Sequence, residues 1–312
     1  MKVIIQIPCF NEESTLPEVI RDLPKRIPGV DSIEILVIND GSTDKTEEVA
    51  RSLKVSHILN IPRRRGLAFV FKAGLDKALE LGADIIVNTD GDNQYKGQDI
   101  ARLVVSILER KAEIVIGCRD IATIKHFSLA KKILQKFGSY IVRKFSKTSI
   151  PDTTSGFRAI SRDAALRLNI FSNYTYTIET LIQAGRAGIA VSHIDITTNP
   201  KLRESRLITS IPAYIWRSLT TMLRIYLMYE PLRSFIKISF LPIFLGGIFI
   251  TRFMIAHFTM PNGGHIQSLI ISAILIIIGF IIIMIGLLGD LISVNRRLNE
   301  EMLYRVRKSE FK

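Results

Sequence analysis

The sequence predicts an α/β fold with a mostly parallel sheet, followed by an apolar helical hairpin near the C-terminus. Three observations carry this. Strand-like and helix-like patterns alternate through the first 120 residues, polar clusters follow the strands at their carboxyl ends, and two long apolar runs close the chain.

The strands come first. Val3–Ile7, Glu34–Ile38, Val55–Leu59, Asp84–Asn88 and Glu113–Gly117 are short runs rich in Val, Ile and Leu, the composition of buried strands. Helix-like segments begin near Thr15, Asp44, Gly66 and Gln98. Repeated strand–helix–strand units favour a parallel sheet with helices on both faces, and ligands of such sheets gather beyond the carboxyl ends of the strands. Polar clusters stand there: Pro8-Cys-Phe-Asn-Glu-Glu13, Asn39-Asp-Gly-Ser-Thr-Asp44 and Thr89-Asp-Gly-Asp-Asn-Gln94. No GxGxxG follows the first strand and no GxxxxGK[ST] occurs, which disfavours dinucleotide and ATP-loop readings.

Composition narrows the partners. The chain has 312 residues and a formal charge of +13, so an anionic partner is expected, whether nucleic acid, phospholipid or a phosphorylated substrate. Cys9 and Cys118 lack metal-ligand spacing and read as small buried hydrophobes of a reducing compartment. The chain opens on a strand, with neither a basic n-region nor a small-residue cleavage site, so no secretory signal is expected.

Ile266 to Gly289 is 24 residues without a charge, enough to cross a hydrocarbon layer about 30 Å thick. A second run, Ile238 to Phe258, is interrupted by Pro242, Arg252 and His257, and snorkelling of the last two toward the far interface lets it span. The link between the runs carries no Lys or Arg while both outer flanks are basic. The positive-inside bias therefore places the N-terminal domain and the C-terminal tail in the cytoplasm, as an integral membrane protein.

Asp90-Gly-Asp92 is the most chemical of the clusters. Two carboxylates flanking a glycine at a strand end can reach one hard cation, Mg²⁺ or Mn²⁺, which prefers oxygen ligands shared with substrate phosphates; Gln94 offers a further oxygen. Asp40 and Asp44 read both as turn and helix-cap residues and as a means of holding Asp40 toward a base or ribose.

Taken in order and at these intervals, Pro8-x-x-Asn-Glu-Glu13, Asn39-Asp-Gly-Ser-x-Asp-x-Thr46 and Asp90-x-Asp-x-Gln94 closely resemble family 2 glycosyltransferases. The resemblance continues through Gly117-Cys-Arg119, Asp152-Thr-Thr-Ser-Gly-Phe-Arg158 and Tyr176-x-x-Glu179. It looks like the subgroup of dolichol-phosphate mannose synthase and bacterial polyprenyl-phosphate glycosyltransferases. The resemblance implies a GT-A fold, a metal-bound nucleotide sugar and inversion at the anomeric carbon. It implies donor contacts from Pro8, Asn11, Glu12, Asp40 and Asp90, with Asp90, Asp92 and Gln94 holding metal and diphosphate. Two departures stand out. Asn39 replaces the first acid of the second cluster, and Pro200-Lys-Leu-Arg-Glu-Ser-Arg206 replaces an Arg-x-x-Gly-x-Ser-Lys element, which leaves mannose itself in doubt. The Gln-x-x-Arg-Trp of processive members is absent, so polymerisation is not expected.

From Ile121 to Ile150 there are seven Lys or Arg and no acid, with a helical apolar stripe; such a helix can lie in the headgroup layer, as can Ile211 to Lys237. Aromatics at helical spacing and the lack of an RNA-binding signature argue against nucleic acid. The expected organisation is a transferase domain over 1–200, a juxtamembrane segment over 201–235, two spans over 236–292 and a basic tail over 293–312. A polyprenyl phosphate acceptor is already largely dianionic at neutral pH and needs positioning, not deprotonation. Arg119, Lys201, Arg203 and Arg206 are the cations expected around it, and Asp152 joins Asp92 and Arg119 among the catalytic candidates, as orienting group or base. The competing expectations are a membrane-tethered transferase with another lipid or glycan acceptor and a non-enzymatic scaffold. The oligomeric state is left open, a homo-oligomer being compatible with the sequence.

Overall fold

The computed structural model describes residues 1–119, 138–140, 142–144, 146, 148–171, 176–200, 220, 223–224, 227, 229–259 and 266–311. The expected interfacial helix over 121–150 falls largely outside these residues, as does about half of the one over 211–237, and Lys201, Arg203 and Arg206 fall wholly outside. The chain packs as two compact units, Met1–Ile211 with Leu303–Lys312, and Pro212–Met302.

The first unit is built on a seven-stranded sheet. Its strands are β1 Lys2–Cys9, β2 Ser32–Asp40, β3 His57–Ile61, β4 Ile85–Asn88, β5 Ile114–Arg119, β6 Arg158–Ser161 and β7 Val191–Ile196, in spatial order β3-β2-β1-β4-β6-β5-β7. β1 runs parallel to β2 and β4, and β2 to β3, while β6 lies antiparallel between β4 and β5. The first five strands are those the hydrophobic runs predict, with four of them running two residues further at the carboxyl end and β3, β4 and β5 starting one or two residues later than expected. β6 and β7 lie beyond that stretch, and β6 makes the sheet mixed.

Period-two alternation divides the core into two layers. Ile4, Leu36, Ile38, Ile86, Ile114 and Ile116 face one side, and Val3, Ile5, Val37, Ile85, Val87 and Val115 the other. The first layer packs against α3 Leu67–Glu80, and against the later helices α5 Arg162–Arg167 and α6 Thr177–Ala187; the second packs against α1 Leu16–Asp22, α2 Thr46–Ser52 and α4 Asp99–Leu108. α3 crosses β1 so closely that a Cβ at Gly74 would stand 2.4 Å from the Gln6 side-chain oxygen.

The second unit contains α7 Pro231–Thr259 and most of α8 Ile266–Glu310, helices of 29 and 45 residues that are long and apolar enough to cross a membrane. Small residues bring them together: Gly246 meets Ile276, Gly279 meets Ile243 and Gly286 meets Phe235. The Ser272 hydroxyl donates to the Gly246 carbonyl at 2.8 Å. Large apolar side chains such as Phe240 and Ile292 point outward, 67% and 71% exposed, as lipid-facing surfaces do.

α8 does not end where the apolar run ends. The expected tail over 293–312 is its helical continuation to Glu310, and the last turns belong to the first unit. Tyr304 donates to Asp163 at 2.5 Å, Arg307 donates to the Leu168 carbonyl at 3.1 Å and pairs with Asp76 at 3.4 Å. Arg162 bonds the Phe311 carbonyl, and Tyr304 and Phe311 pack on the α3 side of the core. Basic residues that read as a solvated tail are thus partly spent on acids and carbonyls of the sheet unit.

Candidate active site

The polar clusters converge beyond the carboxyl ends of β1, β2, β4 and β5, where parallel strands leave unpaired backbone groups and no side chain of a following strand. After β1, Asn11 adopts φ 56°. Its side-chain oxygen accepts the Thr43 N–H at 2.8 Å and its own N–H meets the Ser42 hydroxyl at 2.9 Å, tying the first cluster to the second. Glu12, 4% exposed, accepts from Thr15 at 2.6 Å, and the same hydroxyl lies 2.7 Å from the Gly91 carbonyl. Glu12 is therefore fixed beside the third cluster. Pro8 is the last residue but one of β1, and its carbonyl lies 3.1 Å from where a Gly91 Cβ would be, tighter than an ordinary Cβ contact.

Asp40 closes β2. Its two carboxylate oxygens accept the N–H groups of Arg65 at 2.7 Å and Gly66 at 3.0 Å, anchoring the backbone just ahead of α3 and pinning the exposed Arg63-Arg-Arg65 loop. Gly41 permits this approach: at φ 65° a Cβ there would meet the Arg64 nitrogen at 2.7 Å. Arg64 stacks 4.1 Å above the Phe10 ring. Asn39, the residue that departs from the family pattern, accepts Ser42 N–H and donates to Asn60, both at 3.1 Å. An amide supplies both a donor and an acceptor here, whereas a carboxylate would face the Asn60 oxygen.

Asp90 and Asp92 stand on one tight turn after β4. Burial, then the neighbouring Asp92 charge, push the Asp90 carboxyl up to about 7 against the pull of Arg119 and Arg158. Asp92 accepts from the Gln94 side-chain amide at 2.8 Å and its N–H at 3.2 Å, so the Gln94 carbonyl oxygen stays available as a ligand. Among the described residues no group of three His, Cys, Asp or Glu could hold a metal ion. Two neighbouring carboxylates at a strand end fit a Mg²⁺ or Mn²⁺ that takes its remaining ligands from substrate phosphates and water.

Arg119, at the end of β5, is not a free cation. It grips Asp152 with Nε at 2.7 Å and Nη2 at 3.3 Å, and reaches the Thr154 hydroxyl at 3.2 Å. The Asp152 side chain is fully buried and that of Arg119 is 15% exposed. Burial raises the Asp152 carboxyl, but the Arg119 charge and hydrogen bonds outweigh it and hold it below the usual carboxylate range. This geometry presents Asp152 as an orienting anion for Arg119.

Several contributors carry no role in the sequence reading. Tyr176 stacks on Phe71 at 3.7 Å and its hydroxyl takes the Asn88 amide at 3.0 Å. A Gly156 Cβ would lie 2.8 Å from that hydroxyl and 3.2 Å from an Asp90 oxygen, so this corner forms the floor under Asp90. Arg158, 1% exposed, donates to Thr180 at 2.7 Å and to the Ser155 carbonyl at 2.5 Å, without an ion pair among the described residues. Ser155-Gly-Phe-Arg158 was the available signal. Glu179, in the Tyr176-x-x-Glu179 pattern, spends both oxygens on the Phe171 N–H, at 3.1 and 3.3 Å. Cys9 and Cys118 are free and buried, with both thiols pushed up, Cys118 to about 12.

The model of glycosyl transferase family 2 matches residues 4–168. An undecaprenyl-phosphate mannosyltransferase of Micrococcus luteus is 27% identical over 218 residues, covering 66% of this chain and 88% of the relative. A UDP-N-acetylglucosamine–dolichyl-phosphate N-acetylglucosaminyltransferase of Methanococcus voltae is 27% identical over 220 residues, covering 63% and 85%. The first unit also has the fold of glucosyl-3-phosphoglycerate synthase from Mycobacterium tuberculosis, solved with Mn²⁺, UDP and phosphoglyceric acid. That match has a TM-score of 0.56 at 19% identity, over 71% of this chain and 78% of that one.

Proposed function

The chain belongs to glycosyl transferase family 2, and on that premise we propose that it moves a sugar from a nucleotide donor onto a polyprenyl phosphate at the cytoplasmic membrane face. The observation that carries the reading is the strand-end pair Asp90 and Asp92, set beside Glu12 in a chain whose other unit bears two membrane-length helices. The acceptor class is supported by relatives named for undecaprenyl and dolichyl phosphate, which differ from each other in the sugar.

In this reading Asp90, Asp92 and the Gln94 carbonyl would hold Mg²⁺ or Mn²⁺, which offsets charge growing on the departing nucleoside diphosphate. Pro8, Asn11, Glu12 and Asp40 bind and orient the nucleoside. Asp40 does so with the lone pairs left after it fixes the Arg65–Gly66 backbone. The acceptor phosphate oxygen attacks the anomeric carbon in line, the bond to the diphosphate breaks, and the configuration inverts. No general base is needed, because the phosphate monoester is largely dianionic at pH 7. Arg119, aimed by Asp152, places that phosphate, and Lys201, Arg203 and Arg206 supply further cations from outside the described residues. The proposed organisation keeps the transferase domain over 1–200, a juxtamembrane segment over 201–235, spans within 236–292 and the tail over 293–312.

The test incubates membranes bearing the chain with a panel of nucleotide sugars and polyprenyl phosphate. The expected product is a lipid that releases its sugar in mild acid, as a glycosyl phosphate does. A product stable to mild acid would move the assignment to a diacylglycerol or glycan acceptor.

A further inference from the structure

Past β7 the chain runs along the strand-end cluster of Asp90 and Asp92. Tyr95 and Thr198 form an antiparallel bridge, and the Arg102 guanidinium donates to the Asp195 carbonyl at 3.1 Å. Tyr95 is itself fixed, its ring stacked 4.9 Å from that of Phe157 and its hydroxyl accepting the Gly156 N–H at 3.3 Å. The half-buried Asn199 comes next and meets the carboxylate turn twice. Its backbone N–H donates to the Gln94 carbonyl at 2.9 Å, and its side-chain amide to the Asn93 carbonyl at 3.1 Å. The second bond acts on one particular peptide. Asn93 stands at φ 56°, in the left-handed region, which asparagine enters more readily than most residues but does not favour. The peptide that joins it to Gln94 sends its N–H to Asp92 Oδ1 at 3.2 Å and its carbonyl to Asn199. A peptide is planar, so turning this one away from Asn199 turns it away from Asp92 as well.

We propose that Asn199 is a positioning residue for the transfer reaction. Its side-chain amide locks the Asn93–Gln94 peptide, and through that peptide it holds Asp92 and Gln94 in the arrangement that would bind Mg²⁺ or Mn²⁺. The inference rests on the proposed function, which gives Asp92 and Gln94 that work. The Asp92 charge acts against ionisation of Asp90, so a turn that must present both carboxylates gains from a restraint outside itself. Asn199 supplies one from a separate segment of the chain. An amide suits the task, because it donates to a carbonyl without bringing charge to the site. Ligands already held in place lose less freedom on binding, so the restraint is expressed as affinity.

The test measures Mn²⁺ binding by electron paramagnetic resonance on the full chain in mild detergent, without nucleotide or lipid, with circular dichroism as the check on folding. Asn199→Leu keeps the approximate shape and the charge while removing the side-chain donor; Asn199→Ala removes the donor without adding apolar bulk. Both keep the backbone bond to Gln94. Asp92→Asn measures the Mn²⁺ held elsewhere on the chain, which is subtracted. We expect each Asn199 variant to keep its circular dichroism and to bind Mn²⁺ several-fold more weakly than the unaltered chain. Unchanged Mn²⁺ affinity in Asn199→Leu overturns the inference, and the same result in Asn199→Ala does so where the leucine variant fails to fold. The two failures are distinguishable. Mn²⁺ binding that is equal in the unaltered chain and in Asp92→Asn refutes the metal reading of Asp92 and takes the inference with it, whereas loss in Asp92→Asn with none at Asn199 refutes the inference alone.

Discussion

Replacing Arg119 with Ala separates its structural work from its proposed work on the acceptor. The side chain grips a fully buried Asp152 through contacts of 2.7 and 3.3 Å. Removing one partner of a buried ion pair costs about 3–5 kcal/mol, because the other charge is stranded. Asp152 would keep the Thr154 N–H at 3.2 Å and hydroxyl at 2.8 Å, so the lower end, about 3 kcal/mol, applies. For a unit of about 200 residues that is a fall of roughly 6–12 °C in melting temperature. The pH dependence has a definite sign. In the unaltered chain the Asp152 carboxyl is held low, so its contribution is present above the unfolded value of about 3.9 and is lost as pH falls through the folded value. Without Arg119, burial is left to dominate and raises the carboxyl, so the variant loses less relative to the unaltered chain at pH 5 than at pH 7. Scanning calorimetry in detergent at both pH values measures this, with turnover measured in parallel. An Arg119→Ala protein that melts like the unaltered chain at pH 7 would refute the reasoning, and loss of lipid turnover alone would then assign Arg119 wholly to the acceptor.

Three further outcomes are expected. Asp92→Asn should abolish most activity and weaken Mn²⁺ binding, read by electron paramagnetic resonance, while the circular dichroism stays unchanged; full turnover with chelator present would contradict the metal reading. A cysteine at position 262 should react with an impermeant reagent from outside the cell and one at Ser309 should not, and reversed labelling would overturn the hairpin orientation. Truncation after Met302 removes the Tyr304–Asp163, Arg307–Leu168 and Arg307–Asp76 contacts. At about 1 kcal/mol each, the sheet unit should lose about 3 kcal/mol and become more protease-sensitive, whereas unchanged proteolysis would mean that the last turns contribute nothing.

What was legible in the sequence and what was not divides by distance along the chain. β1 to β5 could be read because each is an uninterrupted apolar run with turn residues at its ends, and period and boundary are local properties. The three strand-end clusters could be read for the same reason. Partnerships across the sheet could not. Asn39 looks like a weakened nucleoside ligand until β3 brings Asn60 within 3.1 Å. Arg119 reads as a free cation until Asp152, 33 residues on, takes its Nε. The basic stretch beyond residue 293 reads as solvated until Asp163 and Asp76 are set against it.

Arg158 carries that point furthest, since an arginine in a short strand predicts solvent exposure, yet this one is among the largest fully buried side chains. Stranding a charge inside a protein costs several kcal/mol unless nearby groups stabilise it. Here the stabilisation comes from the Tyr176 ring at 5.2 Å, the Thr180 hydroxyl, the Ser155 carbonyl and the field of Asp90. Those groups sit at one helix and on two separate loops, and only the closed sheet assembles them. The buried cation and the strand-end carboxylates are therefore one electrostatic unit: the corner that offers Asp90 and Asp92 to a cation stands over a positive charge of its own. Neutralising Arg158 should then disturb the floor formed by Ser155, Gly156 and Tyr176 before it disturbs the nucleoside side, where Glu12 and Asp40 are held by bonds of their own.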